Sequence, residues 1–307
     1  MKAYLVVWFS LSFNISIYQP SDASSPEAIE RLEEFAIQLP RANAPRRLQL
    51  NLASSDKFRE LVKPYITQGL EKGVPSLFAD LKALYVNKEK QKIIEDVVDS
   101  LREEYTPTTA TTLSQYKDVE PTTYLWTLYF LAQHYSYISQ HAKALNLLEL
   151  AIEHTPTLPE LHMLRGRVLK RVGDYVGAAN AMNDARVLDG QDRFLNTKYG
   201  KYLLRVGMVV EAIRAFGLFT KVGVGFPWRV EGLMRRFLPK KDAPSPAADL
   251  QDMQSLLFLL EEADAHRRNG KLNMALKRYM AVKSVSSNLF PLNSSTENHF
   301  FDVPGVR

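Results

Sequence analysis

The residues able to do chemistry fall into a sparse set and a patterned one. The six histidines, His134, His141, His154, His162, His266 and His299, stand at no metal-ligand spacing. His162 and His266 lie on helical segments and read as packing or surface residues. Cysteine is absent, which removes thiolate metal sites and any disulfide framework. No glycine-rich loop follows a strand pattern, so a phosphate-cradling nucleotide motif is missing. No Ser or Thr sits in a nucleophile elbow. The adjacent carboxylates Glu103-Glu104 and Glu261-Glu262 point in different directions on a helix and read as solvated charges. The patterned set is basic. Arg167, Lys170 and Arg171 match Lys201 and Arg205, and then Arg267 and Arg268, when the chain is laid on a 34-residue frame. Residues three and four apart share a helix face, so these cations, with Arg193 and Lys198, project as a stripe. Such a stripe suits an anion, either a polyphosphate or an acidic peptide. The plainer reading is a solvated helix surface. Nucleic acid is a third reading, with no platform of interleaved aromatics to support it.

The frame itself comes from small residues. Ala144, Ala178 and Ala212 are 34 apart, as are Ala132, Gly166 and Gly200, and also Tyr135, Leu169 and Leu203. Ala151, Ala185 and Phe219 form a fourth series. A unit of this length with small residues at fixed depth marks a tetratricopeptide helical hairpin. Small residues allow close approach of two antiparallel helices, and larger apolar ones fill the seam with the next hairpin. Gly173 and Gly207 mark the turn between helices within a unit. The fold class expected is all-α, a tetratricopeptide-type helical-hairpin solenoid wound as a right-handed superhelix. The cluster Tyr124, Trp126, Tyr129 and Phe130 reads mostly as core, with Tyr124 and Trp126 as candidate partner anchors beside Arg167.

Along the chain, residues 1–24 form an unmatched apolar segment. Lys2 precedes the run Ala3 to Phe9, which resembles a signal peptide, although its polar interruptions make it too short and polar for a membrane span. Residues 25–105 read as divergent helical hairpins, with Lys88 to Tyr105 as their fourth helix and Arg41 to Arg47 as a basic linker. Residues 106–120 read as a polar loop, 121–221 as three tetratricopeptide repeats and 222–248 as a loop or insertion. Residues 249–283 restore the pattern as a fourth repeat through Ala263, Gly270, Ala275 and Tyr279, and 284–307 read as an irregular tail. The net charge of +5 and pI near 9.1 favour acidic partners mildly. The lack of cysteine leans towards a cytoplasmic protein, and a working signal would make it secreted.

Several strings carry more than period. Pro121-Thr122-Thr123-Tyr124-Leu125-Trp126, Tyr129-Phe130-Leu131-Ala132-Gln133-His134-Tyr135 and Ala151-Ile152-Glu153-His154-Thr155-Pro156-Thr157-Leu158 resemble the auxiliary subunit of the N-terminal acetyltransferase A complex. So do Asp192-Arg193-Phe194-Leu195-Asn196-Thr197-Lys198-Tyr199-Gly200-Lys201-Tyr202 and the stretch from Met253 to Lys277. The resemblance covers roughly Arg31 to Val222 and Asp249 to Val282. It implies a non-catalytic scaffold that wraps the small acetyltransferase subunit, supports co-translational N-terminal acetylation and tethers the complex to the ribosome. It also implies an inositol hexakisphosphate site, carried here to Lys170, Arg193, Lys198, Lys201 and Tyr202 with Arg171 and Arg205 as neighbours. Members of the family are much longer, so a central fragment or short form is expected. A generic tetratricopeptide adaptor for an acidic peptide is the alternative. An enzyme would need strands and an acetyl-CoA pyrophosphate loop, and neither is apparent in the sequence.

Overall fold

The computed structural model describes residues 26–106, 121–219, 250 and 256–289. Thirteen α-helices and one 3-10 turn make up these residues, and no strand occurs among them. The expected all-α hairpin fold is what the chain adopts. It divides at Pro156 and Thr157 into two compact units. The boundary falls between the first and second repeats, so the first repeat belongs to unit one.

In unit one, α1 (Pro26–Gln38), α2 (Ala44–Leu52) and α3 (Ser55–Glu71) lead to α4 (Leu77–Leu81), a 3-10 turn (Lys82–Val86) and α5 (Lys88–Tyr105). The expected linker from Arg41 to Arg47 is shorter than that, because α2 begins at Ala44 with Pro45 in its first turn. The Asn87 side chain accepts from the Glu89 and Lys90 amides and so starts α5 where the sequence places it. Then come α6 (Pro121–Tyr137) and α7 (His141–His154). Helix α6 is apolar nearly all round, and it is covered by α3, α4, α5 and α7. Leu128, Leu131 and Ala132 are wholly buried, as are Phe58, Ile66 and Ile94 on its neighbours. Burying the leucine, isoleucine and phenylalanine side chains contributes about 1.5–3 kcal/mol each. Gly73 turns the chain after α3 at φ +61°, and a Cβ there would stand 2.7 Å from the Trp126 indole nitrogen. Trp126 is therefore spent partly on covering this turn.

Unit two contains α8 (Pro159–Val172), α9 (Tyr175–Leu188), α10 (Arg193–Val206) and α11 (Val209–Gly217), then α12 (Leu256–Arg268) and α13 (Leu272–Leu289). The small-residue series mark the close contacts. Ala178, Ala185 and Ala212 are fully buried. A Cβ on Gly166 would stand 3.0 Å from the Ala178 carbonyl oxygen, and one on Gly200 would stand 2.6 Å from the Phe216 ring. Helix α10 packs on α9, α11 and α12. In the third repeat the last helix ends at Gly217. The fourth hairpin is longer than expected: helix continues past Ser284 to Leu289, because Val282 and Val285 pack against the core around Phe216 and Phe258.

The turns share one backbone state. Gly173 and Gly207 close α8 and α10 at φ +100° and +95°. Both donate to the residue four back, and the following amide returns to the same carbonyl. Gly270 repeats this turn at φ +73°, and Ser139 holds the equivalent place in the first repeat at φ +66°. A side chain in this region costs about 1–2 kcal/mol relative to glycine's freedom.

The apolar segment 1–24, the insertion 222–248 and all but the first residue of the polar loop 106–120 lie outside the described residues, as does the tail beyond Leu289.

Candidate functional site

The cations come together on α8 and α10 of unit two. Arg167, Lys170 and Arg171 occupy the C-terminal half of α8, and Lys198, Lys201 and Arg205 follow on α10. Half-burial first, then Arg205, Arg171, Arg167 and Lys198, hold Lys170 below the ordinary lysine value. Half-burial also lowers Lys198, helped by Lys201, Arg167 and Arg205. Arg171 is lowered by burial and by Arg167. Six cations thus feel one another's field across two neighbouring hairpins. Some compensation comes from the α8 and α10 C-termini, whose exposed carbonyls favour positive charge by about 0.3–1 kcal/mol each. Among the described residues, no ion pair with an acidic side chain reaches Arg167, Lys170 or Lys198.

Tyr202 lies within this group. The residue is 8% exposed, and its ring is approached by Lys170 Nζ, 6.0 Å from the centroid, and by the Arg205 guanidinium at 5.9 Å. Burial pushes its phenol upward, and Arg167, Arg205 and Arg171 pull against that. The aromatic face thus spaces the two hairpins' cations instead of leaving them in contact. Arg193 takes a different position. It opens α10, and its guanidinium lies 5.5 Å from the Phe219 ring centroid.

The 34-residue frame explains why these side chains are half-buried. The slot that holds Lys198 holds Phe130 and Leu164 in the earlier repeats, both buried. The slot of Lys170 holds buried Ser136 and Leu204 in its sister repeats. Two lysines therefore stand at positions the fold otherwise fills with core residues. Burying a cation is costly unless something compensates it, so these lysines are the side chains most in need of an anion.

Other expectations meet a different outcome. Arg267 and Arg268 do not extend the cluster. Arg267 lies 3.6 Å from Asp264, and Arg268 donates to the Leu204 carbonyl at 3.1 Å, closing the end of α10. Glu261 and Glu262 are not solvated charges. Glu262 is 1% exposed, 2.8 Å from Arg278 and 3.6 Å from His266. Glu261 reaches back to α10. Lys201 and Arg205 of α10 draw Glu261 inward, and Arg278 of α13 does the same for Glu262. Tyr124 and Trp126 are half-exposed in unit one, edge-on to His154 at 6.3 Å and to Tyr129 at 5.6 Å respectively.

Sequence reasoning missed a buried polar chain in unit one. The Tyr85 hydroxyl and His134 Nδ1 are 2.6 Å apart, and His134 Nε2 is 3.4 Å from Glu95. Tyr135 donates to Asp99 at 3.2 Å. His134 is wholly buried, and burial lowers it against the pull of Glu95 and Asp99. Only a histidine inside an otherwise apolar helix hinted at this. No group of three or more histidines and carboxylates among the described residues is placed to hold a metal. No helix of the described residues is long and apolar enough to cross a membrane.

Residues 14–290 match the family described as N-terminal acetyltransferase A, auxiliary subunit. The chain is 35% identical over 280 residues to the human protein named N-alpha-acetyltransferase 16, NatA auxiliary subunit, covering 90% of this chain and 28% of that relative. It is 33% identical over 288 residues to the N-terminal acetyltransferase A complex auxiliary subunit NAA15 of Arabidopsis thaliana, covering 91% and 30%. A solved structure of Naa15/Naa10 bound to HypK-THB superposes with a TM-score of 0.73 at 35% identity, over 87% of this chain and 37% of that one. The chain therefore spans less than a third of the length of these curated relatives.

Proposed function

We propose that this chain, which belongs to the auxiliary-subunit family of N-terminal acetyltransferase A, is a non-catalytic scaffold that docks the acetyltransferase catalytic subunit. The observation that carries the reading is the shared fold and 35% identity with a chain of a Naa15/Naa10 assembly, over nearly nine tenths of the residues here. A solenoid of this kind offers an extended surface and few catalytic groups, which suits a partner that brings its own active site. Family membership also supports a place in co-translational N-terminal acetylation at the ribosome, in the cytoplasm. Co-purification with the catalytic subunit tests the docking. A stable complex is expected, and the absence of any complex at every salt concentration overturns it.

The cluster on α8 and α10 binds a polyphosphate, inositol hexakisphosphate, in this reading. The residues fit such a group: six cations converge, two of them at slots otherwise filled by core, and phosphate oxygens accept from guanidinium and ammonium donors. Arg167, Lys170, Arg171, Lys198, Lys201 and Arg205 would hold it, with Tyr202 as spacer. Arg193 would meet only its edge. When bound, the polyphosphate supplies compensating negative charge between two hairpins. Adding inositol hexakisphosphate to the purified chain is expected to raise its melting temperature. The double change Lys170→Glu, Lys198→Glu is expected to abolish that rise while leaving helicity intact. Lys201 is less suitable for the test because its partner Glu261 would then face a like charge. A melting temperature unmoved by the polyphosphate but raised by an acidic peptide would favour a peptide adaptor instead.

A further inference from the structure

The basic cluster already contains an anion of its own. Glu261, in the second turn of α12, sets Oε1 2.7 Å from Lys201 Nζ and Oε2 3.8 Å from Arg205 Nε. Its side chain is 16% exposed, so this is a shielded bridge. One carboxylate spanning an ammonium and a guanidinium makes the same contacts as two oxygens of a phosphate. The bridge lies at one side of the cluster only. The cations opposite, Arg167, Lys170 and Lys198, form no ion pair with an acidic side chain among the described residues. The acid comes from the fourth hairpin, whereas the cations belong to the second and third. α12 packs directly on α10 although residues 218–255 separate α12 from α11 in the chain.

We propose that Glu261 is a built-in competitor for the anion site, which a polyphosphate must displace from Lys201 and Arg205 in order to bind. The proposal rests on the anion-binding reading above and adds its regulation. Displacement does not detach α12, because Phe258 still meets Phe216 at 5.4 Å between ring centroids and Arg268 still donates to Leu204. It does remove the ion pairs that Glu261 makes with α10. By linkage, whatever tightens the Glu261 bridge weakens anion binding by the same factor, and bound anion loosens α12 to the same extent. Glu261 thereby makes the seating of the fourth hairpin sensitive to what occupies the second and third. It also selects among anions, since a ligand with few phosphates gains too little from Arg167, Lys170 and Lys198 to pull Lys201 and Arg205 away from it.

The test uses the full chain and isothermal titration with inositol hexakisphosphate at fixed ionic strength, comparing the parent with Glu261→Gln and Glu261→Asp. Glu261→Gln keeps the shape and removes the charge, and it is expected to bind at least about fivefold more tightly, a change of about 1 kcal/mol. Glu261→Asp draws the carboxylate back by one methylene and is expected to fall between the two, which keeps the test decisive should the glutamine variant fold poorly. Hydrogen exchange supplies a second reading: ligand is expected to speed exchange of α12 amides in the parent and not in Glu261→Gln. Binding that is unchanged or weaker in both variants overturns the competitor and makes Glu261 an orienting group for Lys201. Failure of parent and variants alike to bind removes the anion site itself, and the competitor with it.

Discussion

The two units bury their helices by opposite means. Unit two stacks hairpins through small residues at a fixed period, with Gly166 against Ala178 and Gly200 beneath Phe216, and buries Glu262 against Arg278 in its fourth hairpin. Unit one surrounds a single helix, α6, and places polar groups inside: His134 between Tyr85 and Glu95, and Lys90 donating to the Leu50 and Asn51 carbonyls at 2.9 Å each. The Lys90 ammonium, 5.0 Å from the Phe58 ring, takes the place of a cap at the end of α2. The difference teaches where specificity resides. In unit two it is steric and repeats, so a neighbour's geometry predicts it. In unit one it is a set of individual polar contacts that do not repeat along the chain.

Substitutions can break that contrast. The largest effect is expected at the heart of unit one. Phe130→Ala empties a site between Phe78 and the rest of α6 and is expected to cost about 3–5 kcal/mol, read by denaturant unfolding. In unit two the matching blow is an addition. Gly200→Leu drives a side chain into the Phe216 ring and is expected to cost about 1–3 kcal/mol. An unchanged melting temperature there would mean that the hairpin contact is not close.

The pH response should separate the units. His134 is held below its ordinary value by burial, so the unfolded chain binds the proton more readily. The stability contributed by the neutral imidazole is present above pH 6.5 and falls as pH drops through that value towards 5.5. Glu95 and Asp99, which pull the other way, moderate the loss. Thermal unfolding of the parent and of His134→Gln at the two pH values checks this, and the variant should lose less. The smallest effect belongs to the turns. Ser139→Gly relieves a positive φ and is expected to raise stability by about 0.5–1 kcal/mol. A loss would show that the serine side chain is needed where its sister repeats use glycine.

Much of the repeat region, in both units, was legible in the sequence because its packing is periodic. Ala144, Ala178, Ala212, Gly173 and Gly207 occupy the places that the 34-residue spacing assigns, and Lys88 to Tyr105 is helical over the span expected. The basic residues of α8 and α10 share a surface, as their three- and four-residue spacing implied. What escaped was partnership across elements. Glu261 and Glu262 look solvated until α10 and α13 bring Lys201 and Arg278 to them. Arg267 and Arg268 match the frame by position, yet one pairs within its own helix and the other closes a neighbour. The Tyr85 to Glu95 chain has no period at all. One clue was present and unused: Lys198 and Lys170 stand in slots where other repeats carry buried residues.

The left-handed turn also bears on how such a chain can lengthen. Between Ser139, Gly173 and Gly207 the spacing is constant, but Gly270 comes 63 residues after Gly207, and α12 still lies against α10. Register in this architecture is counted in turns seated against neighbours, and not in residues. An inserted sequence between hairpins therefore still lets the next hairpin seat against the stack, and new surface can be acquired there while α12 keeps α10 as its neighbour.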